Sequence, residues 1–124
     1  MAEDLIKQKQ QAIEDHFRNF VDTINNMNKR IDDALKDDQK KVTVGAEFLT
    51  TIKANVSIDI SSTLGMSSSD KVQYAKLWFD AKQKDLDTLK EISTEAQKSF
   101  IETLDKQIEI CRSEIGYMEE MGKR

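Results

Sequence analysis

Apolar residues recur along the first third of the chain at alternating intervals of four and three: Ile13, Phe17, Phe20, Ile24, Met27, Ile31 and Ala34. An alternation of this kind puts every apolar side chain on one narrow stripe of an α-helix, the seam of a coiled coil. Ile6 lies one heptad before Ile13, with polar Gln10 between them, so the pattern predicts a helix over about 3–39. Glu14 with Arg18, and Asp32 with Lys36, stand in the favourable acid-before-base order four residues apart.

The last third repeats the logic. Val72, Ala75, Phe79, Leu86, Leu89, Ala96 and Phe100 keep one heptad register, with Lys82 and Ser93 at its two polar gaps. Ile101, Leu104, Ile108, Cys111, Ile115 and Met118 then continue the stripe one residue out of step, a stutter that locally unwinds a left-handed supercoil. Ser67 and Asp70 form an S-x-x-D capping box ahead of the run, and Gly122 stands just past its last seam residue, so the expectation is one helix over 70–121. Such a rod would be roughly 75 Å long, against about 55 Å for the first. Neither stripe can stay in water alone. Each must be buried on another helix, within the chain or across a homo-oligomer.

Residues 42–69 are a different material. They hold three charged residues, Glu47, Lys53 and Asp59, whereas the other 96 positions hold 39. Read as a helix, Leu49, Ile52, Val56 and Ile60 form a stripe; read as strands, "VTV" and "VSIDI" alternate apolar and polar residues, and their β-branched content suits a strand. A five-residue strand with only "VTV" to pair with would make a marginal ribbon, while the flanking rods need a third stripe. The predicted fold is therefore all-α: a single domain, 1–124, built as an elongated antiparallel bundle or coiled coil of three helices, about 3–39, 44–65 and 70–121. The strand alternative for the middle stays open, and Gly65 with the serines around it is read as the turn that follows.

Composition narrows the functions this object can have. The chain contains no proline, which permits long uninterrupted helices. Its net charge of −4 is spread over 19 basic and 23 acidic residues, so no segment offers the positive field that holds phosphates, and direct nucleic-acid binding is not expected. Cys111 is the one cysteine, which rules out an intrachain disulfide and reads as a small buried hydrophobe in a reducing compartment. With no signal-like apolar start and no run near the ~18 apolar residues of a membrane span, the expectation is a soluble, cytoplasmic protein.

His16 is the sole histidine, so a multi-histidine zinc site cannot form, and no glutamate stands three residues before it. Beside seam residue Phe17 it reads as a partly exposed surface histidine. Ser68 and Lys71 match S-x-x-K, but capping accounts for these serines. The acidic pairs Asp32-Asp33 and Asp37-Asp38 lack the glycine turn and closing glutamate of a calcium loop, and read as solvated helix faces. The expectation is a protein that is not an enzyme and needs no cofactor.

The sequence "QYAKLWFDAK" is the most informative local feature. Leu77, Trp78 and Phe79 are consecutive, so together they exceed the arc of a single stripe, and a third surface must meet them. In a bundle, Trp78 and Tyr74 would pack on the middle helix; as a binding surface they would anchor a partner or an apolar particle. The candidate surface residues are Tyr74, Leu77, Trp78 and Phe79, with Phe48, Leu49, Ile52 and Val56 from the middle segment.

The proline-free helices, the weakly charged "VGAEFLTTIKANVSIDI", the "SSSD" break and the run "YAKLWFDAKQKDLDTLKEISTEAQKSFIETLDKQ" resemble the layout of the phasins, helical proteins that coat polyhydroxyalkanoate storage granules. The resemblance spans most of the chain and implies a coat on an apolar granule, with no catalytic residues to carry over. The other expectation, from the residues alone, is a helical protein-interaction module such as an adaptor, a secretion chaperone or a phage-type inhibitor.

Overall fold

The computed structural model describes residues 2–56 and 60–123, and among these every regular element is helical. Five α-helices follow one another: α1 (Ala2–Lys36), α2 (Asp38–Val44), α3 (Ala46–Val56), α4 (Ser68–Ile92) and α5 (Glu95–Lys123), with a short 3-10 turn at Ile60–Thr63 before α4. The strand alternative is not realised in the described part of the middle segment; Ser57, Ile58 and Asp59 lie outside the described residues. The class is all-α as expected, but the three-helix layout is not what forms.

The first helix stops at Lys36 rather than near residue 39. Asp37 takes an extended backbone, φ −87° and ψ 107°, and its carboxylate accepts a hydrogen bond from the Lys40 amide at 3.1 Å, capping α2. A short acidic side chain does better at a cap, where it satisfies a free amide, than inside a helix. The Asp37-Asp38 pair is thus partly a stop signal and only partly a solvated face.

The middle segment is broken a second time at Gly45. Its φ of 85° lies in the region that favours glycine, and its amide closes α2 on the Lys41 carbonyl at 2.8 Å. Helix α3 then returns along α1, where Lys53 Nζ reaches Asp32 Oδ1 at 2.6 Å. Gly65, at φ 84°, lies in the turn before α4 as expected. Ser67 caps α4 by accepting from the Asp70 amide at 3.1 Å, as its capping box requires.

The largest departure is the last third, which is a hairpin and not one rod. Helix α4 ends at Ile92, and α5 starts at Glu95. The signature for this was present: Thr94 and Gln97 form a second capping box. Gln97 Oε1 accepts from the Thr94 amide at 2.8 Å while the Gln97 amide points at Thr94 Oγ1 at 3.4 Å. The polar gap at Ser93 and the stutter beyond Phe100 are thus two signs of a chain reversal: stripes on two antiparallel helices have no reason to share one register. Gly122 does not stop α5, which runs on to Lys123.

Cross-links fix the arrangement. His16 of α1 meets Glu114 of α5, and since α4 runs parallel to α1 and antiparallel to α5, α1 and α5 are antiparallel. Glu14 meets Lys71, and Phe20 meets Trp78, so α4 runs parallel to α1. Lys90 and Asp105 pair at 2.7 Å beside the hairpin turn, and Lys76 and Glu119 at 3.9 Å far from it. Helices α1, α4 and α5 form a three-helix frame; α2 and α3 pack onto its turn end, where a fourth helix joins the core. One apolar cluster draws on all five helices, and Phe20, Ile24, Met27, Ile31, Leu104 and Met118 are wholly enclosed in it.

Candidate functional site

The three consecutive apolar residues of α4 are divided among three directions. Trp78 is buried and meets Phe20 of α1 edge-on, with ring centroids 5.3 Å apart at 90°. Phe79 is buried toward α5, where the Arg112 guanidinium lies 5.3 Å from its ring centroid. Leu77, 61% exposed, faces outward. The indole thus packs on the Phe20 ring of α1.

The other candidate surface residues divide in a similar way. Leu49 and Ile52 are fully buried in the core; Phe48 and Tyr74 are half-buried and lean against it. Val56 closes α3, and its side chain lies outside the described residues. Leu77 is openly presented to solvent, whereas Leu49, Ile52, Trp78 and Phe79 can meet a partner only if helices separate.

Exposed apolar side chains are found elsewhere: Leu5 and Ile6 at the start of α1, Val42 on α2, Leu64 before α4, Ile92 on α4, and Ile110 and Tyr117 on α5. Ile92 and Ile110 follow no seam, and reading for the buried stripe passes over them. Ile110 and Tyr117 stand opposite the α5 seam and Leu77 opposite that of α4, whereas Ile92 closes α4 three residues after Leu89.

Polar contacts stitch the helices. His16 Nδ1 lies 2.6 Å from Glu114 Oε2, and the imidazole stacks on Tyr117 with centroids 4.9 Å apart. The histidine is half-buried, as its place beside the seam suggested, but its acidic and aromatic partners come from α5, 98 residues away, and no local pattern announces them. Glu14 pairs across to Lys71 and Asp32 to Lys53, so both acids serve interhelix contacts and not the expected partners Arg18 and Lys36. Lys71 also lies over the Phe17 ring at 5.5 Å. The Lys90 ammonium is held above its ordinary range by its hydrogen bond to Asp105, against a smaller opposing effect of burial. The more exposed of these pairs, Asp32–Lys53 and Lys90–Asp105, contribute about 0–1 kcal/mol each.

Two buried polar atoms, Trp78 Nε1 and Asn28 Oδ1, find no hydrogen-bond partner among the described residues. Cys111 is fully buried, and its thiol is pushed up to about 12, first by burial and then by the nearby Glu114 charge, so it is an inert core residue. No group of three or more metal-ligating side chains occurs among the described residues, and no described helix is long and apolar enough to cross a membrane. The concavities are open grooves. One of about 410 Å³ runs between α2 and α5 over Thr43, Val44, Ser99 and Phe100; another of about 460 Å³ lies at the far end beside Ile13, Val72 and Met118. Comparison with protein-family models, with curated proteins and with solved structures yields no match.

Proposed function

We propose that this chain is a non-enzymatic helical binding protein that works by exchanging its internal apolar seams for an external apolar surface, in the manner of a granule coat. The observation that carries the reading is the make-up of α4 and α5. Each has a buried seam and further apolar residues on its outer side: Leu77 and Ile92 on α4, Ile110 and Tyr117 on α5. A helix apolar on more than one side loses little by leaving a bundle for a particle. At about 25 cal/mol per Å² the seam residues break even, and the outer residues add burial that the bundle does not supply. The Trp78 indole N–H, which has no acceptor among the described residues, adds to the case, because a buried donor without an acceptor is stabilised on reaching an interface that holds water.

The chain is already helical when closed, so gain of helix is a poor reporter. The single tryptophan is a better one. Adding polyhydroxybutyrate particles, triolein droplets or anionic vesicles should bring the protein down with the particles and shift Trp78 emission while far-ultraviolet circular dichroism stays near its solution value. Protein that stays in the supernatant with an unchanged Trp78 spectrum overturns the coat.

The protein-interaction module is the second reading, favoured by the outward Leu77 beside half-buried Tyr74 on the same helix. It calls for a closed bundle that binds without opening, so a partner complex that leaves the Trp78 spectrum unchanged would distinguish it.

A further inference from the structure

An opening bundle needs a place to begin, and one side chain holds together the two breaks that the seams do not explain. Gln97, at the third position of α5, is half-buried between the α4–α5 turn and the α2–α3 elbow. Its carbonyl oxygen accepts from the Thr94 amide at 2.8 Å, supplying a free donor at the start of α5. Its amide nitrogen donates to the Val44 carbonyl at 2.6 Å, supplying a free acceptor at the end of α2. The two partners fix the orientation of the amide, since one gives a proton and the other takes one. A Cβ built on Gly45 would come within 3.6 Å of the same nitrogen, which places the amide directly against the elbow.

Everything around that contact is suited to movement. Asp37 and Gly45 are single-residue breaks bounding a seven-residue helix, the kind of element ends that absorb backbone rotation in hinge motions. Helices α2 and α3 are short and rich in valine, threonine and isoleucine, so tertiary contacts hold them helical more than their own propensity does. Beneath them lie Val44, Leu49 and Ile52, all buried.

We propose that α2 and α3 form a hinged arm latched shut by Gln97, and that release of its bond to Val44 is the step that uncovers the apolar seam for an external surface. The latch rests on the surface-exchange reading for its purpose, though not for its existence. A latch of this kind lets α5 keep its own cap while the arm swings, because the two halves of the amide serve different helices.

The test uses hydrogen exchange on the full chain, read by mass spectrometry. Gln97→Glu keeps the acceptor for Thr94 and loses the donor for Val44; exchange over 38–56 should rise at least tenfold while α1 and the body of α5 keep their protection. Gln97→Lys keeps a donor and loses the acceptor; exchange should rise at the α4–α5 turn, with the arm still protected. Should Gln97→Glu not fold, Gln97→Met removes both bonds without adding charge, and both segments should then exchange faster than the frame. Unchanged arm protection in Gln97→Glu, or an equal rise throughout α1 and α5, overturns the latch. Triolein droplets separate the two proposals: an arm freed in Gln97→Glu while neither wild type nor variant adheres supports the latch and sinks the coat, whereas a several-fold gain over wild type supports both.

Discussion

The frame of α1, α4 and α5 and the arm of α2 and α3 bury apolar residues with opposite materials. The frame uses long helices, a near-continuous seam and pairs such as His16–Glu114 and Lys90–Asp105 between helices. The arm is short and broken at Gly45, and buries Val44, Leu49 and Ile52 against a structure that already has its own core. A frame of this kind is stable through cooperation among many contacts. The arm's stability is borrowed from the frame, and it should open at lower free energy. Leu49 and Phe20 are equally enclosed, yet one stands on an eleven-residue helix and the other on a helix of 35, so burial alone does not measure how firmly a segment is held.

That contrast can be broken by experiment. The largest effect should come from Phe20→Ala, which deletes a fully buried ring at the Phe17–Phe20–Trp78 cluster and should cost about 3–5 kcal/mol in a single global transition by chemical denaturation. Leu49→Ala should cost about 2–4 kcal/mol of arm stability and appear as raised exchange over 38–56 before any change in α1. If Leu49→Ala instead melts arm and frame together, the arm is not a separate unit.

Alkaline pH sharpens the frame side. The Cys111 thiol is raised to about 12 in the fold from an ordinary 9.0, so its contribution is intact below about pH 9 and is lost as the pH climbs toward 12, where only the unfolded chain gains by ionising. Against a Cys111→Ala control, the loss by pH 10 should be roughly 1–2 kcal/mol, and thiol reagents should label Cys111 only as fast as α1 and α5 part. Thr94→Ala removes half of the second capping box and should cost about 1 kcal/mol, measured by thermal melting. The smallest effect on stability belongs to Leu77→Glu, within about 0.5 kcal/mol of wild type because the side chain is 61% exposed. That variant should nevertheless lose adhesion to triolein droplets, and full adhesion would remove Leu77 from the binding face.

Much of the frame was legible before folding. The seam residues from Ile13 to Ala34 and from Ile101 to Met118 all lie buried. The Ser67 cap and the Gly65 turn also stand where spacing put them. The hairpin was equally present in the chain, as Thr94-x-x-Gln97, and was overshadowed by a heptad count that tolerates one polar gap too many. The candidate surface was harder to read. Trp78 and Phe79 look like an exposed anchor because three apolar residues in a row overfill one stripe, and nothing in their order tells that two helices, α1 and α5, would divide them.

By itself the sequence determined which residues must leave water and where helices can start, because helical periodicity, caps and glycine conformations are properties of a few neighbouring residues. Only the tertiary structure decided which stripe meets which, that His16 faces Glu114 and Tyr117, and that Gln97 joins the elbow to the turn. Those pairings depend on helix breaks at Asp37, Gly45 and Ser93–Thr94, each set by one or two residues but acting on every contact beyond it. A local rule can place such a break without foreseeing the partners it brings together.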